Sequence, residues 1–355
     1  MPSTANTVVD IRPRVDALIA RAVELRASDI HIEPVGEGYE VRLRIDGLLQ
    51  SNETLASQTG RAVMNRLMVM AHLLTYRTDI PQEGRLRVDA PHPLDLRLSV
   101  IPTVHGMRGV IRMPADMLAP HRLEDLNLPA ASYRFLMDFC AADSGMLVIT
   151  GPAGSGKTTT IYALLAHLAE SRRGESLVSL EDPIERTIRG VTQIEVSAYG
   201  AMNYQTALRS ILRQDPQTLA IGEIRDAATA SMAVQAALTG HRLLSTLHAG
   251  SPTGAIRRLL EMGVEAYQLN NSIFGFINQR LLRRKTTDGY RGRLPVAEVL
   301  RMNTEISRAI IEGRESAVAA ESGSLWTAAR GLVDAGLTDE AEVRRVLGPQ
   351  EQIDE

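Results

Sequence analysis

Hydrophobic positions along the chain fall into two regimes. Near the start, Val15, Leu18, Ile19 and Ala22 recur at helical spacing behind Pro13, a residue tolerated in a first helical turn, which predicts one amphipathic helix. Ile30 and Ile32 then alternate with Asp29, His31 and Glu33, and Val41, Leu43 and Ile45 alternate with Arg42, Arg44 and Asp46, which predicts two half-buried strands. Asp46-Gly47 reads as a two-residue hairpin turn into Leu48 and Leu49, because glycine accepts positive φ without steric cost. A helix is expected from about Thr59 to Leu74, then strands over Leu86 to Val88, Leu94 to Ile101 and Val110 to Met113, with turns at Gly84 and His105-Gly106. This front part reads as antiparallel α+β.

The pattern changes after Pro114, Pro120 and Pro129, which interrupt a stretch of mixed polarity without clear period. A linker is placed at 114–130, between an N-terminal domain at 1–113 and a second domain at 131–355. In the second domain, short apolar runs without alternation, such as Met146 to Ile149, suit strands covered on both faces. That strand is followed by a Gly-rich loop, a helix to about Ser171, and further strands near Leu177 to Leu180 and Leu219 to Ile221. Strands alternating with helices indicate a parallel α/β sheet. Asp226 is expected to cap an Ala-rich helix through Thr239, and Ser251-Pro252 to open another through Met262; from Thr304 on the chain reads as helical.

Composition narrows the function classes. A chain of 355 residues favours two domains, and 44% hydrophobic with 23% charged residues is an ordinary globular balance. A net charge of -3 gives no electrostatic footprint for nucleic acid. The single cysteine, Cys140, excludes an intrachain disulfide and a Cys-rich zinc site, and points to a reducing compartment. No apolar run approaches the roughly 18 residues that span a bilayer, and residues 1–10 lack a signal-peptide layout, so a cytoplasmic location without a transmembrane segment is expected.

The chemistry concentrates in the second domain. Gly151-Pro152-Ala153-Gly154-Ser155-Gly156-Lys157-Thr158 matches the P-loop pattern in full and sits between a predicted strand and a predicted helix, as that pattern requires. Its glycines let backbone N–H groups turn toward phosphates, Lys157 reaches the β/γ phosphates and Thr158 offers a hydroxyl to Mg²⁺. Gly151, Gly154, Ser155, Gly156, Lys157, Thr158 and Thr159 form the expected ATP-binding set. Phosphoryl transfer also needs an acid at a neighbouring strand end. Glu223 closes the run Leu219-Ala220-Ile221-Gly222 and fits the Walker B role, contacting Mg²⁺ through water; Glu181-Asp182-Pro183-Ile184-Glu185 offers further carboxylates after Leu177 to Leu180. The opposing reading of these acids is a solvated loop. His241 and His248 lack a second ligand at zinc-site spacing, which leaves a structural role or a hydrogen bond to phosphate.

With the P-loop, the acidic box Glu181 to Glu185, the run Leu219 to Asp226 and the histidine box Thr239 to His248 in this order, the chain resembles the secretion ATPases that power type II secretion systems and type IV pili. Ala27-Ser28-Asp29-Ile30-His31-Ile32-Glu33-Pro34, Arg44-Ile45-Asp46-Gly47 and Asp95-Leu96-Arg97 to Arg112 extend the resemblance to the front, so it covers about Ile11 to Gly348. The resemblance implies a homo-hexamer of subunits with a smaller α+β PAS-like N-terminal domain and a RecA-like P-loop ATPase domain, joined by a flexible linker, with the nucleotide between them. It carries Glu223 to the Walker B acid, Glu181 and Glu185 to the acidic box and His248 to a sensor-like histidine, without settling which glutamate polarises water. It also implies that Arg97 and Arg112 reach the phosphates, with Arg108 a third candidate; the bland alternative is strand-face charges paired with carboxylates.

Two departures from that family stand out. A four-cysteine zinc insert common after the Gln-Arg-Leu-Leu segment is missing, since Leu281 to Arg284 runs through Asp288 straight into Gly289-Tyr290-Arg291-Gly292-Arg293, so no zinc is expected. Only a short leader precedes Pro13, where members of that family usually carry an extra N-terminal domain that docks on a cytoplasmic membrane-associated partner. Both features are shared with retraction ATPases, whereas Ile30 to Pro34 and the tail Ala335 to Gly348 resemble the assembly branch, which is favoured. The expected function is an ATPase motor driving pilus or pseudopilus assembly through an inner-membrane platform protein, at the inner face of the membrane and without nucleic acid. A retraction ATPase, and a ring subunit that binds nucleotide without turnover, are the alternatives; a small-molecule kinase would not call for the acidic and histidine boxes together.

Overall fold

The computed structural model of the chain describes residues 10–89, 93–114, 120–197, 200–314, 317–318 and 324–349. They fall into two compact units, Met1–Ala119 and Pro120–Glu355.

The first unit holds helix α1 (Arg12–Glu24), strands β1 (Asp29–Val35), β2 (Gly38–Ile45) and β3 (Leu48–Ala56), helix α2 (Ser57–Met70), and strands β4 (Gln82–Val88), β5 (Leu94–Thr103) and β6 (Gly106–Arg112). The six strands form one sheet in the order β3-β2-β1-β6-β5-β4, with antiparallel neighbours throughout. Val15, Leu18, Ile19 and Ala22 of α1 are buried and share a core with Ile30, Ile32, Val41, Leu43, Leu98 and Ile111. The β2–β3 turn places Asp46 at φ 49° and Gly47 at φ 88°, the pair of positive φ values that a tight hairpin turn needs.

Three features depart from the expectations. Helix α2 stops at Met70, because His72 takes a left-handed φ of 57° and the Leu73 N–H closes back on the Met68 carbonyl at 2.8 Å, a Schellman-type end. Gly84 lies inside β4 opposite Leu98 and not in a turn; a Cβ there would stand 2.3 Å from the carbonyl oxygen of Ala71, so close backbone approach demands the glycine. The polar positions Asp29 and His31 of β1 are buried to 8% and 6% exposure, because β1 is central in the sheet and arginines from β2 and β6 lie across it.

The second unit contains a 3₁₀ turn (Glu124–Leu126), α3 (Ala130–Ala141), β7 (Gly145–Thr150), α4 (Lys157–Ser171), β8 (Leu177–Glu181), β9 (Thr192–Glu195), α5 (Tyr204–Ile211), β10 (Thr218–Ile221), α6 (Ala227–Leu238), β11 (Arg242–Leu247), α7 (Pro252–Glu261), α8 (Ala266–Ser272), β12 (Ile273–Thr286), β13 (Gly289–Arg301) and α9 (Thr304–Ile311). Helices Leu325–Asp334 and Glu340–Leu347 follow. The sheet order is β13-β12-β7-β11-β10-β8-β9, parallel except for the β12–β13 hairpin. Alternate residues of each central strand enter different layers: Met146 and Val148 pack with α6 and α7 residues, while Leu147 and Ile149 pack with α3 and α4 residues. Burial on both faces is why these strands read as continuous apolar runs.

Of the stretch read as linker, 115–119 lies outside the described residues. Leu123 and Leu126, further along it, are buried with Phe135, Leu136 and Phe139 of α3, so this part packs onto the second unit's core. The long β12–β13 hairpin, β9 and α5 had no counterpart in the sequence reading.

Candidate active site

The loop after β7 is shaped for close approach of an anion. Gly151, Gly154 and Gly156 take φ values of 139°, 75° and 90°, which only glycine adopts without strain. A Cβ on Gly151 would stand 2.5 Å from the Gln279 carbonyl oxygen, and one on Gly156 would stand 2.8 Å from Gln279 Nε2. Gln279, on the neighbouring strand β12, donates from Nε2 to the Ser155 carbonyl at 3.0 Å and accepts from Thr160 Oγ1 at 3.0 Å, so it clamps the loop to the first turn of α4. The N-cap of α4 is Gly156, with no side chain to satisfy the first N–H groups, and those donors with the helix dipole face the loop.

Inside this cradle Lys157 is almost fully buried and Nζ donates to the carbonyls of Gly151 and Pro152 at 2.8 and 2.9 Å. Burial pushes its pKa below the ordinary lysine value, Glu223 pulls it back up, and Arg280 adds to the fall. The Ser155 hydroxyl is buried without a hydrogen-bond partner among the described residues, and Thr158 and Thr159 open α4 half-buried beside it. An orphaned hydroxyl, a buried ammonium held by carbonyls and an uncapped helix start fit the oxygens of a phosphate.

The sheet brings the acids to the same edge. Glu223 follows β10, His248 follows the adjacent β11, Glu181 ends β8, and the P-loop leaves β7, all at carboxyl ends of parallel strands, where ligands of open α/β sheets bind. Glu223 Oε1 lies 3.0 Å from His248 Nε2, and its Oε2 accepts from Arg225 Nε at 2.6 Å. Gly222 leaves room behind it: a Cβ there would stand 2.9 Å from the Tyr204 hydroxyl, whose pKa burial pushes up to about 12.

Glu181 is buried and accepts from Ser179 Oγ at 2.6 Å, Gln193 Nε2 at 2.9 Å and the Tyr162 hydroxyl on α4. Burial and that carboxylate push the Tyr162 pKa up. Glu185 is exposed, and its backbone N–H donates to the Tyr162 hydroxyl oxygen at 3.0 Å. Asp226 caps α6 through the Thr229 N–H at 2.8 Å, as expected. His241 Nδ1 lies 2.9 Å from the Ala236 carbonyl oxygen, next to the end of α6.

The arginines belong to the first unit. Arg97 and Arg112 are exposed cross-strand neighbours on β5 and β6, and Arg112 Nε stands 3.4 Å from Asp29 Oδ1. Arg108 is engaged by Glu33 at 2.9 Å. Among the described residues no group of three or more His, Cys, Asp or Glu side chains gathers as a metal cluster, and no helix is long and apolar enough to cross a membrane.

Strand β12 brings further polar groups to this edge that no motif in the sequence marks. Besides Gln279, Asn278 donates to the Gly250 carbonyl and to Glu298 Oε1, both at 2.7 Å, and Arg280 NH2 donates to the Gly250 carbonyl at 3.1 Å. The signal was available: Asn278-Gln279-Arg280 is a polar run inside an apolar stretch, and buried polar groups in a strand need designated partners.

The sequence profile of the family described as type II/IV secretion system protein matches residues 5–345. The chain is 38% identical over 360 residues to type II secretion system protein HxcR of Pseudomonas aeruginosa, covering 94% of this chain and 76% of that relative. It is 34% identical over 342 residues to type IV pilus assembly ATPase PilB of Thermus thermophilus, covering 85% of this chain and 38% of PilB. Its fold is similar to that of the Legionella pneumophila ATPase DotB, with a TM-score of 0.76, 23% identity and coverage of 94% of this chain and 95% of DotB. The parallel α/β sheet of the second unit is thus of the RecA-like kind.

Proposed function

The chain belongs to the type II/IV secretion system protein family, and on that premise we propose that it hydrolyses ATP as a subunit of a hexameric motor driving pilus or pseudopilus assembly. The motor works through an inner-membrane platform protein and a cytoplasmic docking partner, at the inner face of the membrane. The observation that carries the reading is the cradle of Gly151 to Thr158, with Lys157 buried on carbonyls and Glu223 close enough to raise its pKa.

In this reading the N–H groups of the loop and of α4 bind the β and γ phosphates, and Lys157 moves from its two carbonyls onto their oxygens. Thr158 and, through water, Glu223 would hold Mg²⁺, which supplies neutralisation of charge on the β- and γ-phosphate oxygens. Glu223 orients the attacking water, His248 fixes the carboxylate that does so, and Glu181 with Glu185 holds the neighbouring strand end through Tyr162. Arg97 and Arg112 supply guanidinium forks whose contacts strengthen as charge spreads over the transferred phosphoryl group. Similarity to HxcR and PilB, whose names place them in secretion and pilus assembly, supports assembly over retraction.

The test is phosphate release by the purified full chain with ATP and Mg²⁺, alongside light scattering with a nonhydrolysable ATP analogue. Turnover and a sixfold mass are expected. A chain that binds ATP without releasing phosphate would instead support a static ring subunit.

A further inference from the structure

We propose that Arg85 on β4 is a third member of the phosphate-recognising set, so that Arg85, Arg97 and Arg112 act as one row taking the oxyanions of a nucleoside triphosphate. This rests on the reading above that Arg97 and Arg112 meet phosphate.

Arg85 pairs with Arg97 across β4–β5, and Arg97 pairs with Arg112 across β5–β6, which puts three arginines side by side in a single cross-strand row. Leu86, Val88, Leu96, Leu98 and Ile111 point into the core, so the intervening arginines occupy the opposite, exposed face. Directly opposed residues have Cβ atoms about 4.5–5.5 Å apart, close enough for like charges to repel.

Local carboxylates do not relieve the repulsion evenly. Arg112 has Asp29 at 3.4 Å, but Asp29 also holds Arg44 at 3.4 Å. Among the described residues, neither Arg85 nor Arg97 comes within ion-pair distance of an acid. Nearby acids on the face have other neighbours: Asp95 lies opposite Arg87, and Glu83 accepts from Ser99 Oγ at 3.3 Å. A face built only for solubility mixes its signs, as Arg87 and Asp95 do in the next row.

Three adjacent planar forks, each with permanent charge, suit a multivalent oxyanion. Neighbouring strands lie about 4.7–4.9 Å apart, so the row spans only about 10 Å, the scale of one triphosphate tail and not of an extended polyanion.

The test compares Arg85→Gln, Arg85→Lys and Arg97→Gln in the full chain, reading kcat/KM for ATP and the melting temperature without nucleotide. For Arg85→Gln we expect kcat/KM to fall at least tenfold while the nucleotide-free melting temperature holds or rises, because one of three repelling charges is gone; Arg85→Lys should recover part of the activity. Arg85→Gln with wild-type kinetics beside an impaired Arg97→Gln overturns the proposal and leaves the reading of Arg97 intact. Wild-type kinetics in both overturn the two together. A lowered melting temperature with matching loss of activity assigns Arg85 a structural role and overturns the proposal. Normal hydrolysis with lost secretion in cells overturns it in favour of an acidic protein partner.

Discussion

Nε2 of His248 lies 3.0 Å from Oε1 of Glu223, and the contact joins the ends of the adjacent strands β11 and β10. One edge of the glutamate meets this histidine and the other accepts from Arg225 at 2.6 Å, so both carboxylate oxygens have a partner on the protein. Glu223→Gln should keep nucleotide affinity and lower turnover by about 10²–10⁴-fold, the range for losing a positioned general base. His248→Ala should cost less, about tenfold, because it loosens the carboxylate without removing it. Phosphate release measured beside fluorescent-nucleotide binding separates the two; an affinity loss matching the turnover loss would mean Glu223 serves binding alone.

Lys157 carries a pH signature. Its folded-state pKa is lowered by burial, while unfolded it returns to the ordinary 10.5. The folded state thus binds the proton less well, and the resulting destabilisation is full below the folded pKa and fades as pH rises toward 10.5. Lys157→Met should therefore melt at or above the wild-type temperature at neutral pH, with the advantage shrinking in alkali. Turnover should fall by at least about 10²-fold, the scale for one lost charge-stabilising donor. A large drop in melting temperature would place Lys157 in the structural core instead.

Gln279 should act on binding more than on chemistry. Gln279→Ala removes the clamp between the Ser155 carbonyl and Thr160, two hydrogen bonds with a net contribution of about 0.5–1.5 kcal/mol each. The expected outcome is a severalfold higher KM for ATP, a smaller change in kcat and a modest fall in melting temperature. A lower kcat at unchanged KM would show that Gln279 contacts the reacting groups.

Glu342 should govern acid stability at the C-terminal end. Its side chain is fully buried and bonded to Arg283 and Arg345 at 2.7 and 2.6 Å. Burial pushes its pKa up, but the arginine hydrogen bonds outweigh this and bring it from 4.5 to about 2. A lowered folded pKa means stability that is complete above 4.5 and is lost as pH falls toward 2. Glu342→Gln leaves Arg283 unpaired and should cost about 3–5 kcal/mol near neutral pH. Urea unfolding at several pH values checks this: the gap from wild type should close in acid, and Arg283→Met in the same chain should recover part of the loss.

Much of this was legible in the sequence. The period of Val15, Leu18, Ile19 and Ala22 marked a buried helix face, Asp46-Gly47 marked a tight turn, and the P-loop sits between the strand and helix its pattern requires. Those features depend on neighbours within a few residues, where steric limits on φ and side-chain period act directly. Gly84 shows the limit: locally a glycine signals a turn, and only the approach of the Ala71 carbonyl, 13 positions earlier, explains why no Cβ fits.

The chain alone thus determined which residue types are available for phosphate chemistry and where strands and helices alternate. Tertiary structure decided which of them meet. Glu223 and His248 are joined through the register of β10 with β11, Gln279 reaches the P-loop because β12 pairs with β7, and Arg85 stands beside Arg97 through the pairing of β4 with β5. Strand register is set by burial of whole faces, a property of the assembled sheet that no local stretch of sequence carries.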